Sequence, residues 1–391
     1  LRILHTADWH LGRTLEGRSR LREQEQFLDE LVSIVEEEKI DAVLMAGDVF
    51  DSVNPPAAAE QLFYEGIARL SNGGRRPVVV IAGNHDHPDR LAAASRLAAS
   101  HSITLLGLPT MRGQEIYIPT CGETLLLAAL PYPSESRLAQ LLAAENDEKL
   151  LRKKYDEKVK EIFTVMNQQF RHDTVNIAMS HLYVAGGEPS DSERPIEVGG
   201  AYTVSAHCFP DQAQYVALGH LHRPQNVKQA AMPARYSGSP LAYSFSEVGY
   251  TKSVTIVDVH PQKEANVSEL PLSCGRPLAK WKATEGLAQV YRWLEEGKDR
   301  NAWIDLEIYV EHSLTLEEIH RLRKSYDGFI YIRPHFLTKQ QAVQEEREHT
   351  PIEVLFQRFY EKQTGGAKPT EELVRMFLEL LADEDEDGDE A

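Results

Sequence analysis

The sequence predicts an α/β protein whose first 260 or so residues build largely parallel sheets, followed by a smaller α+β segment. Three observations lead there. Short aliphatic runs alternate with helical repeats over the first hundred residues, the pattern of strand-helix-strand units. Five apolar runs break at a small residue and then present side chains that bind metals: Asp8 and His10, Asp48, Asn84, His181, and His220 with His222. From about residue 265 that grammar stops, and no later strand ends in such a side chain.

Residues 2–7 read as the first strand, followed by Gly12 and a turn holding Arg13, Arg18, Arg20 and Arg22. Phe27, Leu28, Leu31, Val32 and Val35 recur at helical spacing, and the charged residues 36–39 close that helix. Residues 42–46 form the second strand, ending in Gly47-Asp48-Val49-Phe50-Asp51, and Pro55-Pro56 suits the first turn of a helix reaching about Leu70. Residues 77–82 form the third strand, ending in Gly83-Asn84-His85-Asp86, with a helix over 88–100. Residues 103–132, broken by Pro109, Pro119 and Pro131, suit further strands, and residues 134–170 turn helical and charged. Strands over 175–179 and 215–218 end at Ser180-His181 and at Gly219-His220-Leu221-His222. The polar loop 186–200 between them is long enough to border a site. A turn over 236–240 and a strand over 253–259 complete this part.

The remainder reads as helix 284–296, strand 302–311, helix 315–325 and strand 328–333. Thr350 caps a helix starting at Pro351, with Leu355, Phe356 and Phe359 on one face. A second helix over 370–382 carries Leu373, Phe377, Leu380 and Leu381. At 391 residues the chain is long enough for two or three domains. The expected divisions are 1–264, an α+β domain over 265–340, a linker and helical pair over 341–382, and an acidic tail over 383–391.

The formal charge is −18, of which the tail supplies seven negative charges, leaving −11 for residues 1–382. A polyanion is held by lysine and arginine, so binding nucleic acid would need a local basic surface, bound cations or a partner. Cys121, Cys208 and Cys274 stand far apart, with neither a disulfide framework nor a thiolate zinc spacing. No apolar run reaches the roughly 20 residues of a membrane helix, and the chain enters its first strand at once, so a cytoplasmic protein is the expectation.

Ligands in open α/β sheets bind beyond the carboxyl ends of the strands, so clusters dispersed in sequence can meet there. Asp8, His10, Asp48, Asn84, His181, His220 and His222 then offer oxygen and imidazole donors without a thiolate. That set suits two divalent cations, which lower the pKa of water and stabilise both oxygens of an in-line displacement at phosphorus. His85 directly follows a ligand and is better suited to donating a proton to the leaving oxygen. Asp51, three residues past Asp48, is placed to hold that imidazole protonated. His5, His87, His101, His172 and His207 are assigned no role.

The order D-x-H, G-D, G-N-H-D, H and G-H-x-H resembles the calcineurin-like metallophosphoesterases. Residues 5–12 (HTADWHLG), 190–195 (SDSERP) and 236–245 (YSGSPLAYSF) are similar to the bacterial DNA-end nucleases of that superfamily, and the similarity covers all but the tail. The resemblance implies a sandwich of two sheets flanked by helices. It implies a manganese-dependent nuclease, with magnesium as the alternative ion, that cuts duplex ends in the 3′ to 5′ direction and opens hairpins and single strands. One ion takes Asp8, His10, Asp48 and His222, the other Asp48, Asn84, His181 and His220, with His85 as the catalytic histidine. The implied partner is an ABC-type ATPase with a long coiled coil, bound through the terminal helices, and the assembly holds two copies of each chain. Residues 265–340 become a DNA-facing cap. Archaeal and eukaryotic relatives carry histidine where this chain has Asp51, so a second catalytic histidine does not transfer.

The chain has no G-x-x-x-x-G-K-[ST] loop, so any use of ATP belongs to the partner. Arg13, Arg18, Arg20, Arg90 and Arg194 are the candidate phosphate contacts. Two other readings compete: a phosphatase or cyclic-nucleotide phosphodiesterase built on the same chemistry, and a non-catalytic bridging protein. The first lacks the arginine that follows Asp48-Val49-Phe50-Asp51 in protein phosphatases and leaves about 120 C-terminal residues without a purpose. An intact ligand set argues against the second.

Overall fold

Strand β1 (Arg2–Thr6), helix α1 (Leu21–Glu37), strand β2 (Ala42–Ala46), helix α2 (Ala57–Ser71) and strand β3 (Val78–Ile81) open the chain in strict alternation. The computed structural model describes residues 1–144, 154–193, 202–336, 354–357, 360, 369–370 and 373–377. After α3 (Pro88–Ala92) and α4 (Ser95–Ala99) come β4 (Ile103–Leu106), β5 (Gln114–Ile118), β6 (Glu123–Leu130), α5 (Glu135–Ala144) and α6 (Tyr155–Asn167). Then follow β7 (Val175–His181), β8 (Tyr215–Gly219), β9 (Gln225–Asn226), β10 (Ala234–Tyr236), β11 (Ser253–Asp258) and β12 (Asn266–Pro271).

Two six-stranded sheets result, ordered β12-β11-β1-β2-β3-β4 and β9-β10-β8-β7-β6-β5. Strands β1 to β4 run parallel, as do β10, β8, β7 and β6, whereas β11, β12, β9 and β5 pair antiparallel at the margins. Period-2 alternation explains the layering. Leu4, Val43, Met45, Val78 and Val80 meet Phe27, Leu31, Phe63 and Ile67 of α1 and α2. The alternate residues Ile3, Leu44, Val79 and Ile81 meet Leu125, Leu127, Ile177 and Ala217 of the second sheet. Its outer face buries Ala128, Leu130, Ala178 and Val216 against Val159, Ile162 and Phe163 of α6. The order is helix, sheet, sheet, helix, the two-sheet sandwich that the resemblance implied.

The helix expected over 88–100 is two short ones. Ala94 adopts φ −89°, ψ 4°, and only Leu91 in α3 and nothing in α4 is buried, too thin an apolar stripe to hold one continuous helix. Strand β12 escaped the sequence because it is an edge strand whose residues are half-buried or exposed. Of the helical stretch 134–170, residues 145–153 lie outside the described residues.

The chain divides into two compact units: Leu1–Lys280 with Asp299–Asp305 and Gly328–Ile330, and Trp281–Lys298 with Leu306–Asp327 and Tyr331–Ala391. A three-stranded sheet of β13 (Leu278–Ala283), β14 (Trp303–Val310) and β15 (Phe329–Phe336), with α7 (Leu287–Glu295) and α8 (Leu316–Ser325), makes up the α+β part of the chain. Thr315 and Glu318 cap α8 reciprocally. Within the second unit Trp281 meets Trp293 edge to face at 5.2 Å. Further on, residues 354–357 and 373–377 are helical, and Phe356 stacks on Phe377 with centroids 4.1 Å apart, so part of the two apolar stripes is spent between them. Leu355 and Leu373 are half-buried, and Phe359 and Leu380 fall outside the described residues. No described helix is long and apolar enough to cross a membrane.

Candidate metal centre

The carboxyl ends of β1, β2, β3, β7 and β8 bring seven side chains to one crevice. Trp9 is fully buried, edge-on to Phe27 at 5.5 Å and Phe63 at 6.4 Å, which leaves its neighbours Asp8 and His10 free for the crevice. Asp8, His10 and Asp48 sit at φ 55°, 46° and 51°, and His220 at 110°. Four of the ten non-glycine residues at positive φ among the described residues thus stand at the crevice, and backbone strain of this kind gathers at functional sites.

The strand ends interlock. Asp8 N–H donates to Gly47 O and His10 N–H to Asp48 O, both at 3.0 Å. The Asp8 carboxylate accepts His220 N–H at 2.9 Å, and Asp48 Oδ1 accepts His85 N–H at 2.9 Å. These approaches require glycine: a Cβ on Gly83 would lie 2.1 Å from Asp48 Oδ1, and one on Gly219 1.8 Å from Ala46 O. Asp86 accepts Gly83, Phe50 and Val49 N–H at 2.8, 2.9 and 3.1 Å, tying the second and third strand ends together. Burial, and then the charge of Asp48, push its carboxyl up to about 6.

Asp48 Oδ2 lies at the middle, 3.4 Å from His181 Nε2, 3.6 Å from His10 Nε2 and 4.0 Å from His85 Nε2. His181 Nδ1–H donates to Ala46 O at 2.9 Å, so Nε2 is the nitrogen that faces Asn84 Oδ1, also at 2.9 Å. His10 Nε2 and His222 Nε2 face each other at 2.9 Å. Asp8 groups with His10 and His222 on one side, and with Asp48 and His181 on the other.

The charges show what the crevice fits. Burial lowers His10 to about 4 and His220 to about 3, and drives His222 well below its ordinary value, so these rings are neutral lone-pair donors. Burial would lower His181 too, but the Asp48 and Asp8 carboxylates raise it to about 9. Burial drives Asp8 well up, whereas the imidazoles, His181 first, hold Asp48 well down against its burial. The proton on His181 thus supplies positive charge where lone pairs converge, and divalent cations would take its place. The donor set fits two of them.

Two sequence expectations need correction. The Asp51 carboxylate does not grip His85: His85 Nδ1–H donates to the Asp51 backbone carbonyl at 2.7 Å, and Asp51 Oδ1 lies 3.5 Å from His10 Nδ1. The strand-end turn carries the Asp51 side chain past His85, into the outer position from which carboxylates orient ligand histidines. Arg20 is no phosphate contact. It is buried, its guanidinium bound to Glu23 at 2.5 and 2.8 Å and to Ala242 O at 2.9 Å. Arg13 does border the crevice, 3.6 Å from Asp51 and 5.0 Å from the centroid of the Tyr243 ring. Arg18 is exposed, Arg90 is exposed and paired with Glu60 at 2.7 Å, and Arg194 lies outside the described residues.

Several residues that shape the crevice carry no metal-binding signature. Gln24 Nε2–H donates to His10 O at 2.9 Å, and Tyr243 donates to Trp9 O at 2.5 Å with its ring 5.6 Å from His10. Glu193 Oε1 accepts His222 N–H at 2.7 Å, and the buried Lys252 ammonium donates to His222 O at 2.9 Å. For Glu193 and Tyr243 the only sequence signal was the similarity of segments 190–195 and 236–245, and Gln24 and Lys252 had none.

The chain matches the family described as calcineurin-like phosphoesterase over residues 1–224, and the type 5 capsule protein repressor C-terminal domain over residues 274–364. It is 61% identical over 390 residues to the SbcD component of the SbcCD nuclease of Bacillus subtilis (strain 168), with 99% of each chain covered. The SbcD proteins of Staphylococcus epidermidis and Rhodobacter capsulatus are 32% and 38% identical. The first alignment covers 73% of this chain and 72% of that one, the second 66% of each.

Proposed function

The chain belongs to the SbcD nucleases of the calcineurin-like phosphoesterase family, and we propose on that premise that its strand-end crevice hydrolyses phosphodiester bonds in DNA. It is a metal-dependent phosphodiesterase. The observation that carries the DNA-cleaving reading is the meeting of His10, His181 and Asp8 at Asp48, with His222 facing His10 and Asn84 facing His181. In this reading Asp8, His10, Asp48 and His222 hold one cation and Asp48, Asn84, His181 and His220 the other, with Asp48 shared. Manganese is the proposed ion, magnesium the alternative.

Bound cations supply a lowered pKa for water and offset the negative charge that grows on the phosphoryl oxygens. The chain itself holds and moves the protons. His85 spends its Nδ1 hydrogen on Asp51 O, so a proton for the leaving oxygen is carried at Nε2, on the crevice side near Asp48. Asp51 orients His10 from behind, and Arg13 offers its charge to the phosphate at the crevice rim. Arg18, Arg90 and Arg194 extend that contact along the backbone, Arg90 by exchanging Glu60 for a phosphate.

The partner in this reading is an SbcC-type ATPase of the ABC class with a coiled coil, which supplies ATP hydrolysis and DNA-binding surface that an acidic chain lacks. Residues 265–340 form the DNA-facing cap, and Leu355, Phe356, Phe359, Leu373, Phe377 and Leu380 the docking helices. The assembly is a homodimer within a heterotetramer, cytoplasmic, acting 3′ to 5′ on duplex ends and endonucleolytically on hairpins and single strands.

Manganese-dependent release of nucleotides from linear duplex DNA tests the reading. Hydrolysis confined to small phosphate esters would replace it with a phosphatase or cyclic-nucleotide phosphodiesterase. Removing residues 351–391 should abolish ATPase binding, and undiminished complex formation would exclude the helices as the dock.

A further inference from the structure

His222 can ligate a cation through Nε2 only if that nitrogen is bare, so Nδ1 must carry the ring hydrogen. Metal-bound histidines commonly secure this by giving the other hydrogen to a carboxylate or backbone carbonyl. His222 Nδ1 faces neither: its neighbour, at 2.5 Å, is Ser192 Oγ, a hydroxyl that both donates and accepts. A hydroxyl alone leaves the tautomer undecided, since Ser192 donating to Nδ1 would place the hydrogen on Nε2 and block the ligand.

The next groups remove the ambiguity. Ser192 Oγ lies 2.8 Å from Ser190 Oγ, and Ser190 Oγ lies 2.7 Å from Glu193 Oε2. A carboxylate only accepts. Ser190 therefore donates to Glu193, leaving its oxygen to accept from Ser192, and Ser192 to accept from Nδ1–H. Glu193 is held in place by Ser190 N–H at 2.6 Å on Oε2 and by His222 N–H at 2.7 Å on Oε1. Arg13 donates to Ser192 O at 2.8 Å, and Asp191 N–H donates to Ser246 Oγ at 3.2 Å, which pin the turn.

We propose that Ser192, Ser190 and Glu193 form a hydroxyl relay that fixes the tautomer of His222 and keeps Nε2 open to a cation. They are positioning residues, two hydroxyls carrying the polarity of one carboxylate to a ring it does not touch. The proposal rests on the two-cation reading above.

Manganese binding to the full-length chain, followed by titration calorimetry, is the test. Wild type should take two ions. Ser192→Ala and Glu193→Gln, whose amide can donate as well as accept, should weaken one ion about 10- to 100-fold and leave the other unchanged. Ser192→Thr, which keeps the hydroxyl, should restore it. Unchanged binding in both variants would overturn the relay. Equal weakening of both ions with a lowered Tm would also overturn it, since that assigns the turn a general structural role. Wild type taking fewer than two ions would instead sink the two-cation reading itself.

Discussion

The first sheet sends Asp8, His10, Asp48 and Asn84 to the crevice, and the second sends His181, His220 and His222. Every oxygen donor comes from one sheet, while the other contributes only imidazoles. The two contributions are also supported differently. Backbone amides and glycines of neighbouring strand ends hold the first set, as Asp86 does for Gly83, Val49 and Phe50. The second set leans on the first, His181 on Ala46 O and His220 on Asp8, except that His222 has its own support in Ser192 and Glu193. Anionic charge is thus concentrated on a preformed frame, and the neutral donors are docked onto it from across the sandwich.

The largest consequence falls on Asp48, the carboxylate nearest to rings from both sheets. Asp48→Ala should abolish cleavage and the binding of both cations, whereas His220→Ala should spare one; dialysis against manganese with metal analysis separates them. Next comes His85, which stands on the frame but is proposed to move a proton and not hold an ion. His85→Ala should lower kcat by about 10²- to 10⁴-fold with cation stoichiometry intact, and a variant that cleaves normally removes it from the chemistry.

A smaller effect is expected behind the frame. Asp86→Ala leaves three buried N–H groups without their acceptor, at about 1–3 kcal/mol for each unsatisfied group. Tm should fall, and cation affinity with it. A variant that loses neither would show that the strand ends need no such tie.

The smallest lies inside the sandwich, where β1 and β8 meet through His5 and Tyr215 at 2.9 Å. Burial, and after it the charge of Arg235, lower His5 from 6.5 to about 3. The unfolded chain takes up this proton as pH falls through 6.5 and the folded chain only near 3. Stability is therefore complete above 6.5 and drains away between those values by up to about 1.4 kcal/mol per pH unit. His5→Gln should flatten that part of the acid-unfolding curve relative to wild type, and identical slopes would count against it.

The alternation of strands and helices over the first hundred residues was legible because both sheet faces are buried there and leave uninterrupted aliphatic runs. Edge strand β12 was not, since an exposed strand carries no such run. The candidate donors and their order were equally legible: each lies at the carboxyl end of a strand or within four residues of it, and parallel strands bring their carboxyl ends to one rim. That much follows from local sequence and the geometry of a parallel sheet. Which groups stand behind the ligands was decided only in three dimensions. Asp51 turned to His10, Arg20 turned inward to Glu23, and Ser192 arrived at His222 from 30 positions away. Asp51 and Ser192 sit on turns without periodicity, and a contact between remote turns depends on the path of the chain through space, which no local pattern encodes.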